Sequence, residues 1–323
     1  MSRWHALIGL ARPPMIPYVW LLVLAGFGWA HWDRALRMRG AAELLGVLFA
    51  WLLLHAGTLW LNAAVDQDEG DVLFGDVVSV PEGIEREAGA ALVLALFLGT
   101  VAGVGPAILI CVGLAVAYSH RGLLWKAHPV AGPLTNWLGY GLATPYAGWA
   151  VVGVDPNLRT VVVWGVVSVT VLGCYFAAQA FQYEEDRDRG YRTLVVTHGP
   201  LVTVQVARAC IGAGVIAGLT LAATGWLPRL CLLGAPMGWW TDRWIRTALR
   251  EEGPLGVAWA RGLTARLLTT GLVGLGLAGT VYAYESVSNV PVAGLGTAGG
   301  HPSDRPRLPP SALAAWENAQ SSR

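Results

Sequence analysis

The sequence predicts an all-α protein that crosses a membrane several times. Hydrophobic residues make up 54% of the 323-residue chain and charged residues only 13%, whereas soluble domains carry about 25% charged residues. Apolar stretches long enough to cross about 30 Å of hydrocarbon recur along most of the chain. None of them alternates with the two-residue period of a lipid-facing barrel strand. These observations exclude a soluble domain and favour a polytopic helical membrane protein.

The apolar stretches divide into about nine predicted transmembrane helices. They span residues 15–31, 41–65, 88–104, 106–119, 132–153, 160–183, 200–223, 226–242 and 262–284. Glycine and proline at 103–106 are expected to separate the third helix from the fourth, because both residues interrupt helices. Several stretches are rich in glycine, which allows helices to pack closely in lipid.

The chain is predicted to contain one transmembrane domain, residues 1–285, followed by a tail, residues 286–323. From Ser286 onward the composition shifts to glycine, proline, alanine and serine. Such a segment buries too little apolar surface to offset the entropy lost when a chain becomes ordered. We expect this tail to be disordered and to take no part in the chemistry.

Two acid-rich segments each begin where an apolar stretch ends. The first acid patch, residues 62–71, contains Asn62, Asp66 and Asp68, and the second acid patch, residues 182–194, contains Gln182 and Asp186. Carboxylates beside hydrocarbon cost free energy unless they are compensated, so ionisable groups at membrane depth indicate function. The alternative for each patch is a solvated helix end that joins an ordinary loop.

Each acid patch carries two oxygen-bearing side chains four residues apart. Asn62 and Asp66 share one face of a helix end, and Gln182 and Asp186 have the same spacing. Facing pairs of this kind would form a cage of hard ligands suited to Mg²⁺, which also binds substrate phosphates. Asp68 is a further candidate ligand. The patches therefore predict a magnesium-dependent enzyme for an anionic substrate, with Asp66 and Asp186 as its catalytic residues.

The distribution of basic residues predicts the orientation in the membrane. If the N-terminus is cytoplasmic, the loops on that side hold most of the basic residues, as the positive-inside rule requires. Those residues are Arg3, Arg12, Arg86, Arg121, Lys126, Arg187, Arg189, Arg192, Arg243, Arg246, Arg250, Arg261 and Arg266. We therefore predict an integral, multi-pass protein of the bacterial inner membrane, with the N-terminus and both acid patches on the cytoplasmic side.

The two acid patches resemble the motifs of the UbiA-type intramembrane prenyltransferases. That family carries Asn-Asp-x-x-Asp-x-x-x-Asp after its second helix and Asp-x-x-x-Asp-x-x-x-Gly-x-x-Thr-Leu after its sixth. The matching residues are Asn62 and Asp66 in the first patch and Asp186, Gly190, Thr193 and Leu194 in the second. Supporting matches lie at residues 11–14, 118–119 and 125–129, and the resemblance covers about residues 5–284.

Three acidic positions depart from the family pattern. Ala63, Gly70 and Gln182 stand where the family has aspartate. A complete site for two magnesium ions is therefore in question. Asp68 and neighbouring acids of the two patches are candidates for substitute ligands.

The resemblance implies a helical bundle around a cavity open to lipid. An isoprenyl diphosphate would lie there, with Mg²⁺ holding its diphosphate between the two patches, and an aromatic or otherwise lipophilic acceptor would receive the isoprenyl group. The partners expected are therefore these two substrates and the lipid bilayer, with no nucleic acid.

Further residues are assigned to the diphosphate and to the cavity. Lys126, as a point charge, and Arg121 or Arg192, through forked hydrogen bonds, would complete the diphosphate clamp; the alternative is that these cations only signal topology. The cavity residues assigned are Tyr118, Asn136 and Tyr140. Tyrosine rings can stabilise a carbocation through their negative faces, although packing alone also explains them, and Asn136 could instead bond to a neighbouring helix.

Two other functions remain open at this point. A terpene cyclase of the same fold would capture the cation within its own chain. A non-catalytic membrane subunit would keep the fold, bind a quinone, pigment or lipid, and associate with a protein partner in a larger complex. The missing acids at Ala63, Gly70 and Gln182 favour this last alternative.

Overall fold

The described part of the chain consists of helices and the loops that connect them, without a β-strand. The computed structural model describes residues 2–33, 38–66, 72–250 and 255–288. Its α-helices are α1 (Arg3–Leu10), α2 (Ile16–Asp33), α3 (Ala41–Asp66), α4 (Ile84–Val101), α5 (Gly105–Ser119), α6 (Ala131–Asn136), α7 (Thr144–Ala150), α8 (Leu158–Gln179), α9 (Tyr183–Asp188), α10 (Leu194–Ala223), α11 (Ala235–Ala248) and α12 (Val257–Ser288). A π-helical segment, Trp137–Ala143, joins α6 to α7.

Five helical segments within the described residues are long and apolar enough to cross a membrane. They are Arg3–Asp33, Ala41–Asp66, Leu158–Gln179, Leu194–Ala223 and Val257–Tyr284, and the apolar helix Gly105–Ser119 is shorter. These segments agree with several of the predicted transmembrane helices, but the predicted number of nine is not confirmed among the described residues. The first turn of α4 contains charged residues, and α11 has 14 residues with several charges among them.

Several boundaries differ from the predicted ones. The predicted helix 160–183 ends at Gln179, and α9 follows as a separate short helix. The next helix begins at Leu194, with non-helical backbone at Gly199 (φ 82°) directly before Pro200. Glycine adopts this left-handed φ without steric cost, so the helix axis can bend there. The last helix continues to Ser288, and residues 289–323 lie outside the described residues, so the predicted tail remains a prediction.

Backbone-to-backbone packing joins α2 to α7. A Cβ atom added at Gly26 would lie 1.8 Å from the carbonyl oxygen of Pro145, and one at Gly148 would lie 1.9 Å from that of Val23. Small residues permit such close approach where lipid provides no hydrophobic driving force between helices. Next to this contact, the fully buried Trp51 of α3 donates its indole N–H to Thr144 Oγ1 at 3.1 Å.

The described residues of the two acid patches, 62–66 and 182–194, lie at one end of the bundle, which we call the acid-patch end. The C-terminal end of α3 meets the end of α5 there, since Ser119 Oγ donates to Asn62 Oδ1 at 3.2 Å. The beginning of α12 lies at the same end, because Arg261 Nε donates to the carbonyl oxygen of Leu73 at 2.8 Å. The end of α2 and the beginning of α8 meet at the other end, where Asp33 contacts Arg159.

Candidate active site

Asp66, the last residue of α3, is the centre of a polar network. Its carboxylate Oδ1 lies 2.5 Å from Lys126 Nζ and accepts a hydrogen bond from the hydroxyl of Tyr191 at 2.9 Å. Oδ2 accepts from Asn62 Nδ2 at 2.9 Å and lies 3.8 Å from Arg189 Nη1. The side chain is 7% exposed. Two cations and two hydrogen-bond donors therefore surround one carboxylate whose side chain is almost completely enclosed.

Lys126 is the buried cation of this network. The short 3₁₀ turn Trp125–Ala127, which follows left-handed backbone at Leu124, places it there. Its side chain is 5% exposed, and Nζ also donates to Asn62 Oδ1 at 2.9 Å. Lysine is rarely buried without a charged partner. The ion pair to Asp66 therefore explains how this lysine can lie inside the protein.

Asp186 is the buried acid of the second patch. It lies on α9, is 7% exposed, and accepts a hydrogen bond from Thr193 Oγ1 at 2.7 Å. Gly190, at φ 72°, allows the chain to turn back between these two residues. Burial raises the pKa of Asp186 to about 6, and the Asp66 charge adds to this rise, whereas Thr193, Arg189 and Lys126 oppose it.

The second patch makes direct contact with the first. Tyr191 donates to Asp66 Oδ1, and its own backbone N–H donates to the carbonyl oxygen of Asp186 at 2.9 Å. Arg189 Nη2 donates to the carbonyl oxygen of Asp66 at 3.1 Å and contacts Glu185 Oε1 at 2.7 Å. Burial and the Asp66 charge raise the pKa of Tyr191 above its ordinary value, so its hydroxyl remains protonated and can donate.

The oxygen-bearing side chains described at this site are better suited to binding one hard divalent cation than to forming a cage of several acids. Among the described residues, no group of three or more histidine, cysteine or acidic side chains is arranged to hold a metal ion. Mg²⁺ is commonly bound by one or two carboxylates together with waters and substrate phosphates. Asp66 and Asp186 supply two carboxylates, and a nearby cation would offset the burial that raises the pKa of Asp186. The donor set therefore fits Mg²⁺ in this mode.

The other predicted ligands have different positions. Gln182 directly precedes α9, four residues before Asp186, and is partly buried. Asp68 lies outside the described residues. Their assignment as ligands remains a prediction.

The predicted diphosphate and cavity residues divide into two groups. Lys126 lies at the centre of the network, and Tyr118, partly buried at the end of α5, lies close to Tyr175 of α8 and interacts electrostatically with Asp66 and Asp186. Arg121 and Arg192 are exposed at the acid-patch end, where the backbone N–H of Arg192 donates to the carbonyl oxygen of Ala127.

The remaining two cavity residues lie along the helical run that begins with α6. Asn136 Nδ2 donates to the carbonyl oxygen of Gly132, one turn earlier in its own helix, at 3.1 Å. Tyr140 packs against the apolar core that α3 and α5 share. No described contact joins either residue to Asp66 or Asp186.

Arg189 and Tyr191 belong to the site although the sequence analysis assigned them no role. Both follow Asp186 closely, and both contact Asp66, which is more than 120 residues earlier in the chain. The only local signal was their place in the second acid patch. Arginine is frequent in cytoplasmic loops for reasons of topology, so this signal was weak.

Comparison with known proteins identifies the family. The model of the UbiA prenyltransferase family matches residues 15–253, which is more than half of the chain. The chain belongs to the UbiA prenyltransferase family. No curated protein matches the sequence.

Solved structures share this UbiA fold at low sequence identity. The UbiA homologue from Archaeoglobus fulgidus bound to GPP and Mg²⁺ is 18% identical and has a TM-score of 0.60, with 84% of this chain and 99% of that chain covered. The same homologue bound to DMAPP and Mg²⁺ gives 17% and 0.60 over the same shares. A structure of digeranylgeranylglyceryl phosphate synthase gives 14% and 0.57, with 85% and 99% covered. At these identities the likeness shows the fold alone.

Proposed function

We propose that this protein is a magnesium-dependent intramembrane prenyltransferase. It would transfer an isoprenyl group from an isoprenyl diphosphate to an aromatic or otherwise lipophilic acceptor. Membership of the UbiA family supports this function, as do related structures that hold GPP or DMAPP with Mg²⁺. The observation that carries the proposal is the contact between the two acid patches, through Tyr191 and Arg189 on Asp66.

Asp66 and Asp186 are proposed to hold Mg²⁺, with Asn62, Asp68 and Gln182 as further ligands. When bound, the ion would offset the negative charge that develops on the leaving diphosphate. Lys126 and Arg189 already contact Asp66 and would donate N–H groups to phosphate oxygens. Arg121 and Arg192, exposed at the same end, would extend this clamp toward the aqueous side.

The reaction breaks one carbon–oxygen bond and forms one bond to the acceptor. The electron pair of the broken bond leaves with the diphosphate, and an allylic cation remains on the isoprenyl carbon. Tyr118, which is close enough to Asp66 and Asp186 to interact with them electrostatically, is proposed to face this cation with its ring. The acceptor then attacks the cation and loses a proton. Asn136 and Tyr140 are proposed to line the cavity farther from the diphosphate.

The orientation in the membrane is part of the same proposal. Basic residues concentrate at the acid-patch end, which the positive-inside rule assigns to the cytoplasm. Water-soluble Mg²⁺ would then reach Asp66 and Asp186 from the cytoplasmic side of a bacterial inner membrane. The isoprenyl chain and the acceptor would reach them from the lipid.

Turnover by the purified protein tests the proposal. The protein in detergent is given isoprenyl diphosphates of increasing length, Mg²⁺ and a membrane lipid extract as the acceptor source. Released diphosphate and prenylated products are then measured. Asp66→Ala and Asp186→Ala are each expected to lower turnover by a factor of about 100 or more, since each removes charge stabilisation at the leaving group.

The matched control is Asp155→Ala, an exposed carboxylate in the loop before α8. It is expected to leave turnover unchanged. Wild-type rates in both active-site alanine variants would contradict the proposed site. Cyclised products formed without any acceptor would instead identify a terpene cyclase.

A non-catalytic lipid-binding subunit is the second candidate. It is favoured by the absence of a three-acid cluster among the described residues and by the neutralisation of Asp66 by Lys126. Mass spectrometry of molecules retained by the purified protein separates the two functions. A retained quinone, pigment or lipid, a co-purifying protein partner and no magnesium-dependent binding of isoprenyl diphosphate would support the subunit and exclude the transferase.

A further inference from the structure

Three charged side chains form a cluster between α10 and α11, separate from the acid patches. Arg208 Nε lies 2.6 Å from Asp242 Oδ1, and Arg246 Nε lies 2.7 Å from Asp242 Oδ2. One carboxylate therefore holds two guanidinium groups, one at each oxygen. The cluster carries a net charge of +1, because two arginines share one aspartate.

Arg208 lies well inside a helix that is apolar enough to span the membrane. It is nine residues beyond the bend at Gly199, which corresponds to about 14 Å along a helix. An ionisable side chain in a helix of this kind is costly unless it is partnered, and it normally marks an interaction site. Its contact with Asp242 offsets only part of this cost, since Arg246 competes for the same carboxylate.

The cluster is open to the surroundings of the protein. The side chains of Arg208, Asp242 and Arg246 are 39%, 33% and 53% exposed. Each arginine contacts Asp242 through Nε, so this contact does not use the terminal guanidinium nitrogens. Arg243 is also exposed and lies over the ring of Trp239 at 5.7 Å. It adds a second net positive charge beside the first.

The exposed face of α11 changes from apolar to cationic along the helix. Exposed large hydrophobic residues lie before or in its first turns, namely Leu232, Leu233, Trp239 and Trp240. Arg243 and Arg246 follow toward its C-terminal end, which lies at the acid-patch end because Trp244 Nε1 donates to the carbonyl oxygen of Trp259 near the start of α12. This order matches a membrane lipid, with acyl chains followed by a charged headgroup.

We propose that the edge between α10 and α11 binds the phosphate headgroup of an anionic membrane lipid. Arg208 and Arg246, held apart by Asp242, would form forked hydrogen bonds to the phosphate oxygens. The acyl chains would lie along Trp239 and the leucines before it. Basic pockets between transmembrane helices recognise anionic headgroups in this way. The site is distinct from the Asp66 network and does not depend on the proposed transferase activity.

Lipid binding by the purified, full-length protein tests this site. The protein in detergent is titrated with fluorescent phosphatidylglycerol, and with phosphatidylcholine as the zwitterionic comparison. Arg246→Gln is expected to weaken phosphatidylglycerol binding about fivefold, since one basic residue near an anionic lipid contributes about 1 kcal/mol. Arg86→Gln, an exposed arginine at the start of α4, is the matched control and is expected to change nothing.

The variant Asp242→Asn tests whether lipid binding depends on the positions of the two arginines or only on net positive charge. This variant increases the net positive charge but removes the carboxylate that positions both arginines, so binding should weaken. Tighter binding by Asp242→Asn, equal losses in Arg246→Gln and Arg86→Gln, or equal affinity for phosphatidylcholine would each overturn the proposal. Displacement of the lipid by millimolar inorganic phosphate would also overturn it, since the site would then recognise a soluble anion.

A second variant replaces Arg246→Gln if that variant misfolds. If Arg246→Gln does not elute as a monodisperse species, Arg246→Lys takes its place, because lysine keeps the positive charge but cannot form the forked hydrogen bonds that the proposal assigns to Arg246. A loss of about fivefold is again expected, and unchanged affinity in this variant would count against the site.

Discussion

The two ends of the bundle each contain a buried ion pair, and the two pairs differ in their surroundings. At the acid-patch end, Lys126 Nζ lies 2.5 Å from Asp66 Oδ1, with side chains 5% and 7% exposed. At the opposite end, Arg159 Nε lies 3.6 Å from Asp33 Oδ1, with side chains 9% and 0% exposed. By charge and burial alone the two pairs would be indistinguishable.

The surroundings of Arg159 are those of a packing contact. Its guanidinium carbon lies over the rings of Trp29 and Trp32 at 5.5 and 4.8 Å. It also donates to the carbonyl oxygens of Gly225 and Trp226, each at 2.8 Å, and so ties α8 to the chain that follows α10. Through these contacts the guanidinium of Arg159 joins α8 to α2 and to the segment that follows α10.

The surroundings of Lys126 are polar and ionisable. Asn62, Arg189 and Tyr191 contact the same carboxylate, Arg189 at 3.8 Å, and Asp186 is close enough for its pKa to respond to Lys126 and Asp66. Interacting ionisable groups with perturbed pKa values are typical of functional sites. The comparison teaches that a buried pair marks a functional site when further ionisable groups converge on it.

The largest expected difference between the two pairs is in turnover. Lys126→Met should lower kcat/KM by a factor of about 100 to 1000, because a cation beside the leaving diphosphate is lost. Arg159→Met should leave the kcat/KM of the folded protein within about twofold of wild type. Steady-state kinetics on monodisperse protein measures both. Similar losses in the two variants would remove the functional distinction between the pairs.

Stability provides the next difference. Arg159→Met removes the cation that lies 3.6 Å from the buried Asp33 carboxylate and should lower the free energy of unfolding by about 3–5 kcal/mol. The double variant Asp33→Leu/Arg159→Met should recover most of this loss, since well-packed apolar residues can replace a buried pair. Equilibrium unfolding in mixed micelles measures both variants. A double variant as unstable as the single one would show that Arg159 acts mainly through Gly225 and Trp226.

Stabilisation by magnesium should depend on the residues of the acid-patch end and not on the Asp33–Arg159 pair. With an isoprenyl diphosphate present, Mg²⁺ at about 100 times its Kd should stabilise the protein by about 2.7 kcal/mol. Asp186→Ala should abolish this increase, whereas the double variant at Asp33 and Arg159 should retain it. The shift in unfolding temperature on addition of Mg²⁺ or of a chelator measures the effect. A full shift in Asp186→Ala would exclude this residue as a ligand.

The smallest expected effect is a pH dependence that originates from Asp186. Its pKa is raised from 3.8 to about 6, so the folded protein holds its proton more tightly than the unfolded chain does. The contribution of the protonated acid to stability is complete below about pH 4 and is lost as the pH rises to about 6.

In metal-free protein this contribution amounts to about 1–3 kcal/mol. The unfolding free energy of Asp186→Asn, measured against wild type over this pH range, should therefore improve relative to wild type as the pH rises. A constant difference between the two proteins would mean that Asp186 has an ordinary pKa in the folded state.

The structure brings together residues that the sequence had assigned separately. Asn62, Asp66 and Asp186 were assigned from motif spacing and Lys126 as a cation for the diphosphate, and all four lie at one end of the bundle. Their mutual contacts were not predicted: Lys126 pairs with Asp66, and its assignment to the diphosphate remains a prediction. Motif spacing describes one helix end at a time and contains no information on which ends meet.

Arg189 and Tyr191 show why the rest of the site was missed. Both reach Asp66 only because Gly190 and the short α9 turn the chain back over the end of α3. Asn136 was assigned to the cavity, with a bond to a neighbouring helix as the alternative. In the structure its side-chain amide donates to a carbonyl oxygen of its own helix. Each outcome depends on the direction of a side chain, which hydropathy patterns do not specify.

The sequence by itself determined the membrane class, the family and the positions of two acid patches, because apolar length and motif spacing are local properties of the chain. Only the tertiary structure decided that Tyr191 and Arg189 bridge the patches, that Lys126 neutralises Asp66, and that Arg208 and Arg246 share Asp242. Apart from Arg246 and Asp242, which are four positions apart in α11, these contacts join residues that are between 34 and 125 positions apart. Their geometry follows from how rigid helices pack and end, and a linear pattern of residue types does not contain that information.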